Sequence, residues 1–558
     1  MGEKSSETRP LFAHLFSATL FYWASLPPVG AWPLAFVVPV FWCVLIRHPL
    51  SLKFRYVYTA AFVFWMASIW WIACPHPLTT IGLIALAAYL SVYLPMFLAA
   101  SRVAVHRFRI PVIVAAPLCW VGCEFLRNHV LGGFSFCSLE HALYLKPKFL
   151  QLASIGGGYL VAAMIVAVGT GIGTLWPIAQ EPGASAPGCV TSRWSIRGLT
   201  PPALGIVLLL VTAFYGSVRF AESNGLPTIR IAALQGNIPV TLLPTPDYVD
   251  KVFEQFRDLT FQAVAEKPAI IVWPETVCPI NNFEFRSGAK PEDFGWTDEE
   301  IAENQAQFGR MAQAFDVPLL VGLSTLIFDD KRAPHPNPLP EGEGAIRQPK
   351  RLNSALYVGT KKIGPRYDKV RLVMFGEYIP FSSLLPDNFF LKTLCVEATS
   401  GREPVAIPVG DSWAAVNICF ESSIPHWIRE QVLTLKRQGT PPGLLINMSN
   451  DGWFWFSQQI DQHLATHVLR AIENGLPCIT ATNGGFSAII DERGAIQKIG
   501  NRCEAEAVIG DVKPGYPDTP YQRIGDWPPF ACSLLVFLLL TFSRRQSRAG
   551  NSDSPPVP

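Results

Sequence analysis

Long apolar stretches fill the first 220 residues of the chain and return once near its end. A helix needs about 20 apolar residues to cross a bilayer. The pattern therefore predicts seven transmembrane helices and an eighth near 527–543. The seven approximate ranges are 10–27, 30–46, 56–74, 80–101, 110–126, 149–176 and 202–219. The first follows Lys4 and Arg9, but no clear cleavage site separates it from the second, so a retained helix is expected rather than a signal peptide.

Between the seventh and eighth stretches the pattern changes to short apolar runs interleaved with amphipathic ones. Short apolar runs are typical of buried strands, and apolar residues recurring every three or four positions are typical of helices. The predicted strands are 229–237, 269–275, 318–326, 354–360, 414–421, 443–451, 478–485 and 487–494, and the predicted helices include 248–266, 298–315 and 458–474. This alternation predicts an α/β domain with a well-buried sheet.

These patterns divide the chain into domains. The predicted boundaries are 1–221 for a seven-helix membrane domain, 222–524 for a globular domain, 525–545 for the eighth helix and 546–558 for a disordered cytoplasmic tail. Residues 329–351 are rich in Pro, Gly and charge and have no periodic apolar face. A flexible surface insertion is therefore predicted there.

Basic residues determine the predicted orientation, because Lys and Arg concentrate in cytoplasmic loops. They follow spans two, four, six and eight, which share one side if all eight spans exist, and the loops after spans one and three contain none. Lys146 and Lys148, after span five, are a mild exception. Both termini are therefore expected in the cytoplasm and 222–524 outside it. The residues concerned are Arg47, Lys53, Arg55, Arg102, Arg107, Arg109, Arg193, Arg197, Arg544, Arg545 and Arg548.

Composition narrows the protein class. Half of the residues are apolar and 16% are charged, which favours a membrane protein. The formal net charge is +2, so no electrostatic attraction to nucleic acid is expected. Cys119 and Cys123 lie four apart without the histidines or second cysteine pair of a zinc site, so no metal is predicted there. The sequence does not decide whether any two of five further cysteines form a disulfide: Cys278, Cys395, Cys419, Cys478 and Cys503.

One predicted strand ends on a cysteine. The stretch "WAAVNICFESSIP" (413–425) places Cys419 after a buried strand and before a predicted helix, whose N-terminus would favour a thiolate. A buried cysteine alone is usually a packing residue, so partners are needed. Glu275 ends the strand of "VWPET" (272–276), and Lys369 lies in "YDKVRLVMFGEYIPF" (367–381). An acid, a lysine and a cysteine at the edges of strands or loops form a more specific set than any one of them.

The motifs "VWPET", "YDKVRL", "FGEYIPF", "NICFES" and "SNDGWF" together resemble the carbon–nitrogen hydrolase (nitrilase) superfamily, which has a Glu–Lys–Cys triad. With "LQGNIP" (234–239), "QHLATHVLRAIENGLPCITATNGG" (462–485) and the flanking spans, the chain looks more closely like the apolipoprotein N-acyltransferase family. The similarity is strongest over 229–527. It implies a nitrilase-like α-β-β-α sandwich inserted between transmembrane helices seven and eight of an eight-helix membrane domain.

The resemblance implies a role for each site residue. Cys419 is the expected nucleophile, Glu275 the general base and Lys369 the cation at the oxyanion, where one preorganised donor is worth about 3–4 kcal/mol. The backbone N–H of Phe420 is expected to join Lys369. Glu377 is the expected second acid, supporting Lys369 and Glu275. Glu421 is expected to orient its loop or to form a local ion pair, and a catalytic role for it is the less favoured alternative.

The resemblance also implies the reaction, which is the last step of lipoprotein maturation. An acyl chain passes from a phospholipid to the cysteine as a thioester, and then to the N-terminal amine of an S-diacylglyceryl-cysteine lipoprotein. The expected partners are the phospholipid donor, the diacylated lipoprotein acceptor and membrane lipid, with no cofactor, metal or nucleic acid. A monomer is expected in the cell inner membrane, with the catalytic domain on the periplasmic side. Two aromatic loops, 451–459 and 385–394, are expected at the membrane interface or in ordinary packing.

Two other functions fit parts of the sequence. A membrane-tethered nitrilase-type amidase would use the same triad and give the acyl group to water. A transporter or membrane scaffold would need charged residues lining a pathway, and the spans near 56–101 hold few.

The chain departs from the family pattern at five positions. Phe420 stands where a tyrosine is common, Arg371 and Met374 replace a histidine and a proline, Pro244 lies near the position of a tryptophan, and Trp455 replaces a glycine. These departures concern the lid and substrate preference rather than the triad.

Overall fold

The computed structural model describes residues 2–177, 196–221, 227–241, 245–286, 288–329, 349–380, 398–454, 457–516 and 518–552, without the side chains of 2–8, 196–198 and 543–552. Most of the predicted insertion, the end of the predicted tail and the aromatic loop 385–394 lie outside the described residues. Pro244 and Trp455 lie outside them as well.

Apolar helices form the first part of the described chain. They are α1 (Gly2–Ser25), α2 (Leu34–Arg47), α3 (Phe54–Ser68), α4 (Thr79–Leu90), α5 (Tyr93–His106), α6 (Val112–His129), α7 (Pro147–Leu150), α8 (Ala153–Gly173) and α9 (Ile196–Ala221). Among the described residues, three stretches are long and apolar enough to cross a membrane: Thr79–His106, Ala153–Gly173 and Leu199–Ala221. Leu34–Arg47 and Trp527–Phe542 are apolar but shorter. The eight-span arrangement therefore stays a prediction.

Arginines join the ends of helices that the sequence places on one side. The guanidinium of Arg102, in α5, donates to three carbonyls at the end of α2 at 2.7–3.2 Å. Arg47, the last residue of α2, donates to two carbonyls at the end of α8 at 3.3 and 3.4 Å. Such donors satisfy the carbonyls that a helix leaves unpaired at its C-terminus. The ends of α2, α5 and α8 therefore lie together.

The globular part contains two mixed β-sheets. Their strands are β1 (Ile229–Gln235), β2 (Ile270–Val272), β3 (Asn282–Phe285), β4 (Leu319–Phe328), β5 (Lys350–Val358), β6 (Ile363–Asp368), β7 (Ala406–Val409), β8 (Ser412–Ile418), β9 (Leu444–Asn450), β10 (Cys478–Asn483), β11 (Ala488–Ile490), β12 (Ile496–Ile499) and β13 (Glu506–Val512). The first sheet has the order β13-β1-β2-β4-β5-β6 with β3 beside β4, and the second has the order β12-β11-β10-β9-β8-β7. Central strands are parallel and outer ones pair antiparallel.

The two sheets pack against each other around a shared apolar core. Ile231 and Leu320 from the first sheet meet Val416 and Ile446 from the second in one buried cluster. Helices α10 (Pro246–Val264) and α11 (Asp298–Phe315) cover the outer face of the first sheet, and α12 (Pro425–Arg437) and α13 (Gln459–Asn474) cover that of the second. The chain continues through α14 (Pro520–Ile524) into α15 (Trp527–Ser552). The globular part is thus an α-β-β-α sandwich, as the family resemblance implied.

Helix α13 joins the sandwich to the apolar helices. All 16 of its residues are buried, whereas a surface helix normally leaves one face in solvent. The indole N–H of Trp71 donates to Gln462 at 3.1 Å, and Glu473 accepts from the backbone N–H of Gly158 at 2.9 Å. One apolar cluster contains residues of both parts. The second sheet therefore rests, through α12 and α13, on the first-half helices.

Candidate active site

The three expected catalytic residues follow the ends of three strands. Glu275 comes shortly after β2, Lys369 directly after β6 and Cys419 directly after β8. β2 and β6 belong to the first sheet and β8 to the second, so the site lies where the strand ends of both sheets meet. Cys419 has φ 54°, in the left-handed region that residues other than glycine rarely adopt. Such strained residues cluster at functional sites.

Lys369 is buried between two carboxylates. Its ammonium donates to Glu377 Oε1 at 2.8 Å and to Glu275 Oε1 at 3.3 Å, with 1% of its side chain exposed. The amide of Asn353 donates to the same two oxygens, at 3.3 Å to Glu377 and 2.6 Å to Glu275. Burial lowers the pKa of Lys369, but the charges of Glu275 and Glu377 outweigh it and hold the pKa well above its usual value. Lys369 is therefore a fixed cation.

Glu275 retains room for one more donor. Its Oε1 accepts from Asn353 and Lys369, whereas its Oε2 accepts only the backbone N–H of Asn450, at 2.9 Å, among the described residues. Each carboxylate oxygen has two acceptor positions. One position on Oε2 is thus available, and the charge of Glu275 acts on the thiol of Cys419. This arrangement suits a base that takes the thiol proton.

The expectation that a helix N-terminus makes Cys419 acidic is wrong. A 3₁₀ turn, Cys419–Ser423, separates the cysteine from α12, which begins only at Pro425. Burial raises the pKa of the Cys419 thiol well above its usual value, and the charges of Glu275 and Asp451 raise it further, while Lys369 lowers it. The protonated thiol is therefore the favoured form of Cys419 near neutral pH.

Polar side chains also bind the backbone carbonyl of Cys419. The carbonyl oxygen of Cys419 accepts from Ser422 Oγ at 3.1 Å and Asn447 Nδ2 at 3.2 Å, and His463 Nε2 lies 3.3 Å away. Nδ1 of His463 lies 3.1 Å from both oxygens of Asp451. Burial raises the pKa of Asp451, but His463 and neighbouring donors outweigh it and lower the pKa below its usual value. His463 and Asp451 therefore form a buried support for the turn.

Glu421 binds the backbone on both sides of the site. Its carboxylate accepts from the N–H groups of Val370, Arg371 and Ile418 at 2.8–2.9 Å, and the hydroxyl of Tyr367 donates to both oxygens at 2.8 Å. The side chain is fully buried. These five bonds connect the segment after Lys369 to the turn of Cys419. The geometry thus favours the expected loop-orienting role, and no ion pair of Glu421 occurs within the described residues.

Phe420 lies between the two halves of the molecule. Its ring stacks on Phe136, with 6.5 Å between ring centroids and 28° between planes. Phe136 precedes α7 and belongs to the first half of the chain. The side chain therefore borders the apolar helices while its backbone follows the nucleophile.

Several residues that hold this site were not identified from the sequence. Asn353 precedes a predicted strand and Asn450 belongs to a quoted motif, but a polar residue beside an apolar strand is a weak signal. Asp451 and His463 lie in quoted motifs without an assigned role. Their contacts join residues far apart in the chain, so spacing alone does not reveal them.

One group of described side chains has donor atoms close enough to share a metal ion. Ligand atoms of His129, His426 and Asp526 lie within 4.8 Å of one another. The two imidazole rings stack at 4.3 Å with 22° between planes, and a metal lies in the plane of each imidazole that binds it. Stacked rings cannot direct their nitrogens at one ion without rotating. The 3.4 Å contact between His129 and Asp526 is therefore better described as a polar link between α6 and the start of α15.

None of the ten described cysteines forms a disulfide. Cys395, one of the candidates for pairing, lies outside the described residues.

Comparison with known proteins covers both halves of the chain. A model of the apolipoprotein N-acyltransferase N-terminal domain matches residues 18–171. An apolipoprotein N-acyltransferase of Geobacter metallireducens is 29% identical over 441 residues, covering 78% of this chain and 75% of the relative. One of Rhodopirellula baltica is 25% identical over 578 residues, covering 94% of this chain and 97% of the relative.

The globular half also has matches of its own. A solved amidase of Nesterenkonia sp. is 14% identical, with a TM-score of 0.35, covering 55% of this chain and all of the amidase. A model of the carbon–nitrogen hydrolase family matches residues 230–517, the range that contains both sheets and all three strand-end residues. The chain therefore belongs to the carbon–nitrogen hydrolase family.

Proposed function

We propose that this protein is an apolipoprotein N-acyltransferase that moves an acyl chain from a membrane phospholipid, through a thioester on Cys419, to the N-terminal amine of a diacylated lipoprotein. The observation that carries the proposal is a buried thiol–carboxylate–ammonium site in a sandwich packed on apolar helices. The relatives' names and the matched N-terminal domain support acyl transfer.

In the first half-reaction Glu275 Oε2 accepts the proton of the Cys419 thiol, and the sulfur attacks the ester carbonyl carbon of the phospholipid. The carbonyl oxygen becomes negative beside Lys369 and the backbone N–H of Phe420. When the tetrahedral intermediate collapses, the ester C–O bond breaks and the lysophospholipid oxygen takes the proton from Glu275. Glu377 and Asn353 hold Lys369 and Glu275 in position.

In the second half-reaction the lipoprotein amine attacks the thioester carbonyl carbon. Glu275 accepts a proton from the amine, the C–S bond breaks, and the sulfur of Cys419 is protonated again. The products are an amide and the free enzyme. Covalent catalysis suits this exchange, because one site serves two bulky lipids in turn.

The catalytic domain belongs, in this proposal, on the periplasmic side of the inner membrane. Both lipids are anchored in the outer leaflet there. The clustered ends of α2, α5 and α8, with Arg47 and Arg102, support one cytoplasmic side. Gln458, just before α13, and Gln462 of α13 donate to the carbonyl oxygen of Ser68, the last residue of α3, at 2.6 and 3.0 Å, which supports a sandwich on the opposite side.

Intact mass of the protein purified from membranes tests the covalent stage. We expect an added acyl mass that hydroxylamine removes and that Cys419→Ala abolishes. Cys503→Ala is the matched control, because it removes an exposed thiol of the same domain. An acyl mass that persists in Cys419→Ala would remove the assigned nucleophile.

Labelled phospholipid and a diacylated peptide test the fate of the acyl group. We expect N-acyl peptide and lysophospholipid from the purified protein, and neither from Cys419→Ala. Release of free fatty acid without N-acyl peptide would identify the amidase-type hydrolase instead.

A further inference from the structure

An exposed arginine follows the expected catalytic cation closely in the chain. Arg371 is two residues after Lys369, and its backbone N–H is held by Glu421 Oε1 at 2.9 Å. Its guanidinium carbon lies 4.8 Å from the centroid of the buried Trp427 ring. No carboxylate of the described residues forms an ion pair with it. The backbone and the ring therefore fix this cation, while its charge is not neutralised.

Arg371 lies where the sandwich meets the end of a first-half helix. Trp427 is in the first turn of α12, next to His426, whose ring stacks on His129 at the end of α6. Burial, then the charge of His129, lowers the pKa of His426 to about 4, with a further contribution from Arg371. His426 is therefore neutral near pH 7. Asp526, whose charge opposes this lowering, lies 3.4 Å from His129 Nε2.

Lys369 is a poor site for a lipid phosphate, because two carboxylates already surround it and only 1% of its side chain is exposed. Arg371 has the opposite properties: it is exposed, and a guanidinium offers a planar fork of N–H donors that matches phosphate oxygens. Stacking on an aromatic ring orients that fork without using its donors. Lys369 thus suits the negative charge that develops on the carbonyl oxygen, and Arg371, two positions later in the chain, suits a permanent anion.

We propose that Arg371, held on Trp427, binds the phosphodiester of the lipid donor and so makes the first half-reaction selective for phospholipids over uncharged glycerolipids. This inference rests on the proposed function. In the donor a glycerol unit separates the scissile ester from the phosphate, and along the chain one residue, Val370, separates the two cations. The lipoprotein acceptor carries no phosphate, so the second half-reaction does not use this contact.

The test compares two donors with identical acyl chains, a phosphatidylglycerol and a diacylglycerol. The rate of acyl-enzyme formation is measured by intact mass for the unaltered protein, Arg371→Gln, Arg371→Lys and the control Arg310→Gln. Arg310 is an exposed arginine of α11 paired with Glu303, away from the site. We expect Arg371→Gln to lower kcat/KM for phosphatidylglycerol about 10–100-fold, the range of a lost hydrogen bond to a charged group. Diacylglycerol should react as before, and Arg371→Lys should restore part of the preference.

Equal slowing with both donors would overturn the proposal, because a purely structural role through Glu421 and Trp427 predicts that result. An effect confined to the reaction of preformed thioester with peptide would also overturn it.

Binding gives a second readout that does not need turnover. In a Cys419→Ala background, native mass spectrometry should show about tenfold less retained phosphatidylglycerol for Arg371→Gln than for Arg310→Gln. Equal retention would overturn the inference. If the unaltered protein forms no acyl-enzyme, the proposed function fails, and the retention experiment still decides whether Arg371 binds the lipid phosphate.

Discussion

Two buried carboxylates, of Glu275 and Glu421, lie near Cys419, and they differ in the groups that donate hydrogen bonds to them. The carboxylate of Glu275 accepts hydrogen bonds from one ammonium, one side-chain amide and one backbone N–H. The carboxylate of Glu421 accepts hydrogen bonds from three backbone N–H groups and from the Tyr367 hydroxyl, which contacts both of its oxygens. Both residues carry the same chemical group at the end of a strand or turn. Only their surroundings separate their roles.

The number of occupied acceptor positions determines what each carboxylate can do. The three backbone N–H groups and the Tyr367 hydroxyl, whose single hydrogen is shared by both oxygens, occupy the roughly four acceptor sites that the two oxygens of Glu421 offer. Glu275 keeps one on Oε2, in the region where its charge acts on the Cys419 thiol. We expect a carboxylate whose acceptor positions are all occupied to hold the backbone in place, and one with a vacant acceptor position to take up a proton. The following predictions test that distinction.

The largest expected effect is the loss of the proton acceptor. Glu275→Gln should slow acyl-enzyme formation about 10²–10⁴-fold, the usual contribution of a general base. Glu254→Gln, at an exposed position of α10, is the matched control and should react like the unaltered protein. The measurement is the rate of acyl-mass gain. A Glu275→Gln rate within about tenfold of the control would mean that another group takes the proton.

The next effect is on stability, at the other carboxylate. Glu421→Gln turns an amide NH₂ toward backbone N–H donors, and each buried donor left unpaired costs about 1–3 kcal/mol. The melting temperature in detergent should fall by several degrees more than that of Glu275→Gln. A Glu421→Gln protein that melts normally but forms no acyl-enzyme would contradict the brace and assign Glu421 to the chemistry.

A smaller expected effect concerns the pKa of the Cys419 thiol in the Glu275→Gln variant. The charge of Glu275 raises the pKa of the Cys419 thiol, because a neighbouring anion disfavours the thiolate. Removing that charge in Glu275→Gln should move the pH of half-maximal iodoacetamide labelling of Cys419 to a lower value. The slower enzyme should thus have the more readily alkylated thiol. An unchanged or higher midpoint would show that Glu275 does not act on this sulfur.

The smallest effect is expected from a deletion in the predicted insertion, which changes neither Glu275 nor Glu421. Deleting 332–349 should leave acyl transfer unchanged and the stability within about 0.5 kcal/mol, as for surface changes generally. The flanking strands support this, because Ile327 of β4 lies opposite Lys350 of β5 and a short turn can join them. Deleting 350–353 is the contrast, since it removes the start of β5 and Asn353. Loss of folding on the first deletion would contradict the predicted insertion.

Much of the secondary structure follows from local pattern. Helix α11 spans the predicted 298–315, because Thr297 and Glu300 cap its start reciprocally, at 3.1 and 2.8 Å, and its apolar residues repeat along one face. Helix α13 differs by one residue from the predicted 458–474. Its complete burial was not predictable, because its polar face meets the first-half helices rather than solvent.

The site was predicted in its parts but not in its electrostatics. Motif order and resemblance identified Glu275, Lys369 and Cys419, and the structure places all three at converging strand ends. The expected acidity of the thiol was wrong, since burial and the charges of Glu275 and Asp451 raise its pKa and the turn after β8 is a 3₁₀ turn rather than a helix N-terminus. A helix prediction from local pattern does not show which charges the fold brings to its first residue.

By itself, the sequence determined which segments are apolar, which are amphipathic and which few reactive residues end a strand, because these properties depend on neighbours a few positions apart. Only the tertiary structure decided that Glu275 keeps an acceptor position and Glu421 does not. The donors that decide it, from Asn353, Asn450 and Tyr367, come from strands or strand ends in both sheets. Whether a carboxylate can act as a base or only holds the backbone in place depends on the hydrogen-bond donors that the fold places around it.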